Sequence, residues 1–138
     1  FNRPTVDRLV AEFPAANLQL FKLTRRMLHD AGLRCENVVW LGERWKWTIE
    51  FRPFAASEMG AVIVPAPENL QLALPVAREF VDSLPMRRLK KAVREGLELA
   101  SDPFDTRLAI WSISTSALLG DLQDLLNRQA RHLARKTG

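Results

Sequence analysis

Four tryptophans, two histidines and one cysteine hold most of the distinctive chemistry of this 138-residue chain. The strongest local pattern surrounds two of the tryptophans. From Arg44 to Arg52, the apolar residues Trp45, Trp47, Ile49 and Phe51 alternate with Arg44, Lys46, Thr48, Glu50 and Arg52. Strict alternation predicts a half-buried antiparallel strand with Trp45 and Trp47 on one face. Trp111 lies in the apolar run Arg107–Ile113, which reads as a later strand with apolar residues on both faces and is therefore expected inside the sheet. If the two strands are neighbours, Trp45, Trp47 and Trp111 form an aromatic wall. Such a wall either fills a core beneath helices or lines an apolar ligand pocket. The opposite face carries Arg52, whose planar fork matches a carboxylate or phosphate. Trp45, Trp47, Trp111 and Arg52 are therefore the expected ligand-binding residues.

A second pattern follows Pro85. Arg87, Arg88, Lys90, Lys91 and Arg94 occupy an arc of about 160° on a helical wheel, opposite Met86, Leu89, Val93 and Leu97. A one-sided basic helix over residues 85–100 can track phosphates, so these five cations define an alternative, nucleic-acid-binding surface. Glu95 and Glu98 lie close by and no aromatic residue interleaves with the cations, which weakens single-strand binding.

No pattern points to catalysis or to a bound cofactor. Cys35 has His29 six residues away as its nearest sequence candidate for an activating base. His29 and His132 are too far apart for a helical metal site, and His132, set among arginines, is expected to be solvated. Glu43, Glu50 and Asp105 have no spacing that brings them together. No glycine-rich phosphate loop, Gly-x-Ser-x-Gly elbow or His-Glu-x-x-His helix occurs. No catalytic residue, metal ligand or cofactor is assigned.

These residues must be positioned by elements that the periodicity outlines. Thr5 caps a short helix with Val6, Leu9, Val10 and Phe13 on one face, and a second helix runs from about Ala15 to Ala31, stopped by Gly32. Strands are predicted at Asn37–Leu41, Arg44–Arg52, Gly60–Val64 and Leu70–Leu74. A short helix at Val76–Ser83 and the basic helix follow, then a break at residues 101–103 and the strand at Arg107–Ile113. Ser116 is expected to cap a last helix, which runs to about Arg135 with Leu118, Leu122, Leu125, Leu126 and Leu133 inward. The order α-α-β-β-β-β-α-β-α, with strands consecutive, predicts an α+β domain. Its antiparallel sheet of about five strands is a meander of four plus one later strand, with helices packed on one face. No linker divides the chain, so residues 1–138 form one domain.

With 47% apolar and 26% charged residues the chain is ordinary for a globular protein. No run approaches the ~20 apolar residues of a membrane span, and no signal-peptide pattern opens the sequence. The lone cysteine rules out an internal disulfide. A cytoplasmic protein with no membrane partner is expected, and a homo-oligomer is left open. The net charge of +4 is modestly basic.

The segment Val38–Phe51, preceded by a helix, resembles the YdhG-like group of small bacterial domains, described as iron-chaperone or frataxin-like. The apolar pairs Ala61–Val64 and Leu70–Pro75, the strand with Trp111 and the Leu-rich last helix extend the resemblance over roughly residues 15–130. It implies a compact α+β fold with helices over an antiparallel sheet, and no established reaction. The acidic helix associated with iron donation in frataxin-like proteins has no counterpart here. The resulting expectation is a non-enzymatic ligand- or protein-binding domain with an apolar pocket between sheet and helices.

Overall fold

The computed structural model describes the backbone of residues 3–100 and 107–137, and side chains as far as residue 132. The break expected at 101–103, Asp105, and the side chains of Leu133 and Arg135 lie outside the described residues.

Thr5 Oγ1 accepts the Arg8 N–H and starts α1 (Val6–Leu9). Pro14 opens α2 (Ala15–Asp30), which buries Phe21, Thr24, Met27 and Leu28 and ends before Gly32 at φ +96°. Thr24 tolerates burial because its hydroxyl donates to the Leu20 carbonyl at 2.7 Å. Then come β1 (Cys35–Trp40), a helical turn α3 (Gly42–Trp45), β2 (Trp47–Arg52), β3 (Ala61–Val64) and β4 (Gln71–Pro75). Helix α4 (Arg78–Asp82), a 3-10 turn at Met86–Arg88 and α5 (Lys91–Glu98) lead towards β5 (Leu108–Ser112) and α6 (Ser116–Thr137). The hydroxyl at the start of α6 belongs to Thr115, whose Oγ1 accepts the Leu118 N–H, so Ser116 is the first helical residue rather than the cap.

The five strands pair in chain order, all antiparallel, as an open sheet β1-β2-β3-β4-β5. Strand β5 thus ends the sheet rather than lying inside it as expected; both of its faces are apolar because one joins the main core and the other the smaller outer cluster. The expected α+β architecture is the one observed. Val38, Ile49, Phe51, Ala61, Ile63, Leu72, Leu74, Ala109 and Trp111 point to one face by register, and most of them join the main core with α1, α2, α4, α5 and α6. The outer face carries Val62, Val64, Ala73 and Leu108 in a smaller cluster capped by Trp45.

One expected element is shorter than its alternation implies. Strand β2 starts at Trp47, and residues 42–45 form the helical turn instead. Reversing the chain between β1 and β2 requires left-handed backbone at Gly42 (φ +78°) and Lys46 (φ +57°). The turn closes with Leu41 N–H to Lys46 O at 2.9 Å and Lys46 N–H to Gly42 O at 2.8 Å. The kink at Lys46 breaks the two-residue period. Trp45 and Trp47, two positions apart, consequently lie on opposite faces of the sheet.

Candidate functional site

The three tryptophans expected to form a wall are not brought together. Trp45 is buried on the outer face against Val62, Val64, Ala73 and Leu108. Trp47 lies on the helix side and meets Trp40 edge-to-face, ring centroids 5.5 Å apart, across a directly opposed β1–β2 pair. Trp111 is buried three strands away under α5, where its indole N–H donates to the Ala92 carbonyl at 3.1 Å. A β-carbon on Gly96 would overlap the same ring, so α5 packs against Trp111 without a gap. The Trp111 indole is a packing group whose polar atom is already satisfied.

Arg52 shares the outer face with Cys35, its register partner, and donates from Nε to Glu50 and from Nη1 to the Ser57 carbonyl. The hydrogen bond to Glu50 raises the guanidinium pKa above its ordinary value. Arg52 thus anchors the β2–β3 loop. The fork that sequence reasoning reserved for an anionic ligand is occupied by the protein itself.

The basic segment also differs from its expectation. Leu89 is extended (φ −75°, ψ 148°), which separates the 3-10 turn from α5, so the five cations do not lie on one continuous helix. Lys91 and Arg94 face Glu95 and Glu98 at 3.8 and 3.9 Å. Arg87, Arg88 and Lys90 are exposed and form no ion pair among the described residues.

Two histidines have surroundings that the spacing did not reveal. Glu36, on the inner side of β1, accepts from Arg25 Nε at 2.7 Å and Nη2 at 2.8 Å, and contacts His29 Nε2. The hydrogen bonds from Arg25 to Glu36 are the chief cause of its guanidinium pKa being raised above the ordinary value. The His29 ring packs at a tilt against Phe51, centroids 5.9 Å apart, on the inner face, whereas Cys35 alternates to the outer face opposite Arg52. His132, expected in solvent, packs its ring against Phe80 at 5.4 Å. Nε2 of His132 and Nε of Arg107 are buried without a hydrogen-bond partner among the described residues. Among the described residues no three His, Cys, Asp or Glu side chains assemble as a metal site, and no helix is long and apolar enough to cross a membrane.

An open surface groove lies elsewhere among the described residues, between α2 and α6. This groove of about 220 Å³ has Leu23, Met27 and Leu119 as its apolar floor and Arg26, Asp30 and Gln123 at its rim. A second depression, about 260 Å³ between α1 and the β3–β4 loop, has Leu9 as its single large apolar residue and offers no such floor. Gly120 also lines the α2–α6 groove. It sits inside a helix, where glycine costs about 1 kcal/mol relative to alanine. A β-carbon there would meet nothing within 4 Å, so neither packing nor backbone strain requires glycine. The sequence signal for this groove was one glycine in a leucine-rich helix, too weak to stand out before α2 and α6 were placed side by side.

Comparison with known proteins adds no relative. No family model, curated protein or solved structure matches the chain.

Proposed function

We propose that this protein is a non-enzymatic binding domain whose ligand, a small molecule with an apolar body and a polar head, lies in the α2–α6 groove. The observation that carries this reading is Gly120: a helix-interior glycine with open space above it keeps the groove clear at a cost to the helix. The apolar body would rest on Leu23, Met27 and Leu119. The head would meet Arg26, Asp30 and Gln123 at the rim, the usual division of labour in small-molecule sites. The site thus moves from the tryptophans to the helix layer, while the class of function expected from the sequence is kept.

The test uses anilinonaphthalene sulfonate, a fluorescent amphiphile, with octanoate as competitor. Gly120→Leu fills the groove from a position with room for the side chain. Binding of the dye to the parent protein, displaced by octanoate and weakened at least tenfold by Gly120→Leu (about 1.4 kcal/mol), supports the reading. Equal dye binding by both proteins removes it.

The nucleic-acid alternative rests on Arg87, Arg88 and Lys90, since Lys91 and Arg94 already face carboxylates. Among the described residues it has fewer cations without an ion pair than the sequence suggested.

A further inference from the structure

The rim of the α2–α6 groove carries two opposite charges that the protein leaves unpaired. Arg26 and Asp30 are one turn apart on α2, the spacing at which helical side chains become neighbours. On α5 and α6 the same spacing closes Lys91–Glu95, Arg94–Glu98 and Asp124–Arg128 to 3.8, 3.9 and 2.9 Å. Arg26 and Asp30 do not close. Among the described residues neither side chain forms an ion pair or a hydrogen bond with any group. Asp30 is also the last residue of α2, where the helix dipole disfavours a carboxylate. Helix stability therefore does not account for it.

The two helices run in the same direction, which polarises the groove. Asn17, early in α2, donates to the Pro67 carbonyl, and Ile113, just before α6, donates to Leu70 O, both where β4 begins. Leu33, just past α2, packs on Gly60 where β3 begins, and Gln129, late in α6, donates to Pro75 O at 2.6 Å. Because β3 and β4 are antiparallel, those last two contacts share the opposite end of the sheet. The lining accordingly runs from Leu23 and Ser116 at one end to Asp30 and Gln123 at the other. The start of α6 brings positive partial charge to the first end, and the end of α2 brings negative partial charge to the second. Arg26 stands one turn nearer the first end than Asp30, so side-chain charges and helix dipoles point the same way.

We propose that the ligand of this groove is an aliphatic α-amino acid. Its carboxylate meets Arg26, its ammonium meets Asp30, and its side chain lies on Leu23, Met27 and Leu119. Charge complementarity selects this occupant: one carbon bearing both charges satisfies both residues of the rim. A simple carboxylic acid would leave Asp30 unpaired beside a like charge, and a simple amine would do the same to Arg26. A volume of about 220 Å³ lies below the ~300–1,000 Å³ of sites for drug-sized ligands, which suits a ligand this small. The proposal rests on the reading of the groove as the binding site and refines it by fixing the head group.

Displacement of anilinonaphthalene sulfonate by 2-aminooctanoate, octanoate and octylamine tests it, since the three share a chain length and differ in the head. The amino acid should displace the dye at a concentration about fivefold lower than either rival. Asp30→Asn should reduce it to the level of octanoate and Arg26→Gln to that of octylamine, while Arg26→Lys keeps most of the preference. The net charge of +4 favours octanoate, so general attraction cannot imitate this order. Displacement by 2-aminooctanoate no stronger than by octanoate, or a preference that survives Asp30→Asn and Arg26→Gln, overturns the proposal. The groove itself still stands in that case if Gly120→Leu weakens the dye. Equal dye binding by the parent and Gly120→Leu removes both.

Discussion

Gly96 of α5 and Trp111 of β5 are matched in size: a β-carbon on residue 96 would stand 2.9 Å from Trp111 Cδ1 and nearer still to Nε1 and Cε2. The indole N–H reaches past the glycine to the Ala92 carbonyl, one turn earlier in the same segment. Gly96→Ala gains about 1 kcal/mol of helix propensity but overpacks a close contact, at roughly 1–3 kcal/mol. The expected net loss is about 1 kcal/mol, read as a fall in Tm of about 4 °C. A raised Tm would show that α5 does not depend on this contact.

Gly120→Ala should do the opposite. With no atom within 4 Å of the added carbon, only the helix term remains, and the protein should gain about 1 kcal/mol. Thermal melts of the two variants side by side separate a glycine demanded by packing from one that the fold does not need.

Glu36 ties α2 to the edge strand β1 through Arg25 and His29. Glu36→Gln keeps the shape but removes the charge from a paired, mostly buried site, at roughly 1–2 kcal/mol. Because Arg25 is 38% exposed, solvent screening keeps the loss towards the lower value. The raised Arg25 pKa means that its contribution is fully present below the unfolded guanidinium pKa and is lost only in strong alkali. The stability gap between the parent and Arg25→Gln should therefore not vary through arginine titration between about pH 6 and pH 9. Urea denaturation at those pH values checks both statements.

The basic segment makes a quantitative prediction for duplex DNA. If binding rests on Arg87, Arg88 and Lys90, the cations of this segment that form no ion pair among the described residues, it should fall with salt at a log–log slope no steeper than about −3. Fluorescence anisotropy at increasing potassium chloride measures it, and Arg87→Glu with Arg88→Glu should abolish the residual binding without altering the fold. A slope nearer −5 would mean that Lys91 and Arg94 leave Glu95 and Glu98 to join the interface.

The fold class was legible in the chain because it depends on short-range periods. Leu70, Leu72 and Leu74 alternate, Phe21, Thr24 and Leu28 recur at helical spacing, and Thr5 and Gly32 mark helix ends through local hydrogen bonding and backbone conformation. Consecutive strands with short connections leave few topologies other than a meander. The face on which a tryptophan lands is a different matter. Trp45 and Trp47 satisfy the alternation as letters, yet the reversal at Gly42 and Lys46 turns one of them to the outer side. Likewise the cations of residues 87–94 share an arc only while the helix is continuous, and the extended backbone at Leu89 interrupts it. Occupancy of polar groups was equally out of reach: Ser57 takes Arg52, and Glu36 takes Arg25, through contacts that the linear order does not announce. The α2–α6 groove joins residues nearly a hundred positions apart, so its existence is decided by how two amphipathic helices settle on one sheet. Local periodicity determines which elements form, because backbone conformation and burial of one face are short-range. Only the tertiary packing decides which side chains remain free to bind, because that depends on what every other segment has already filled.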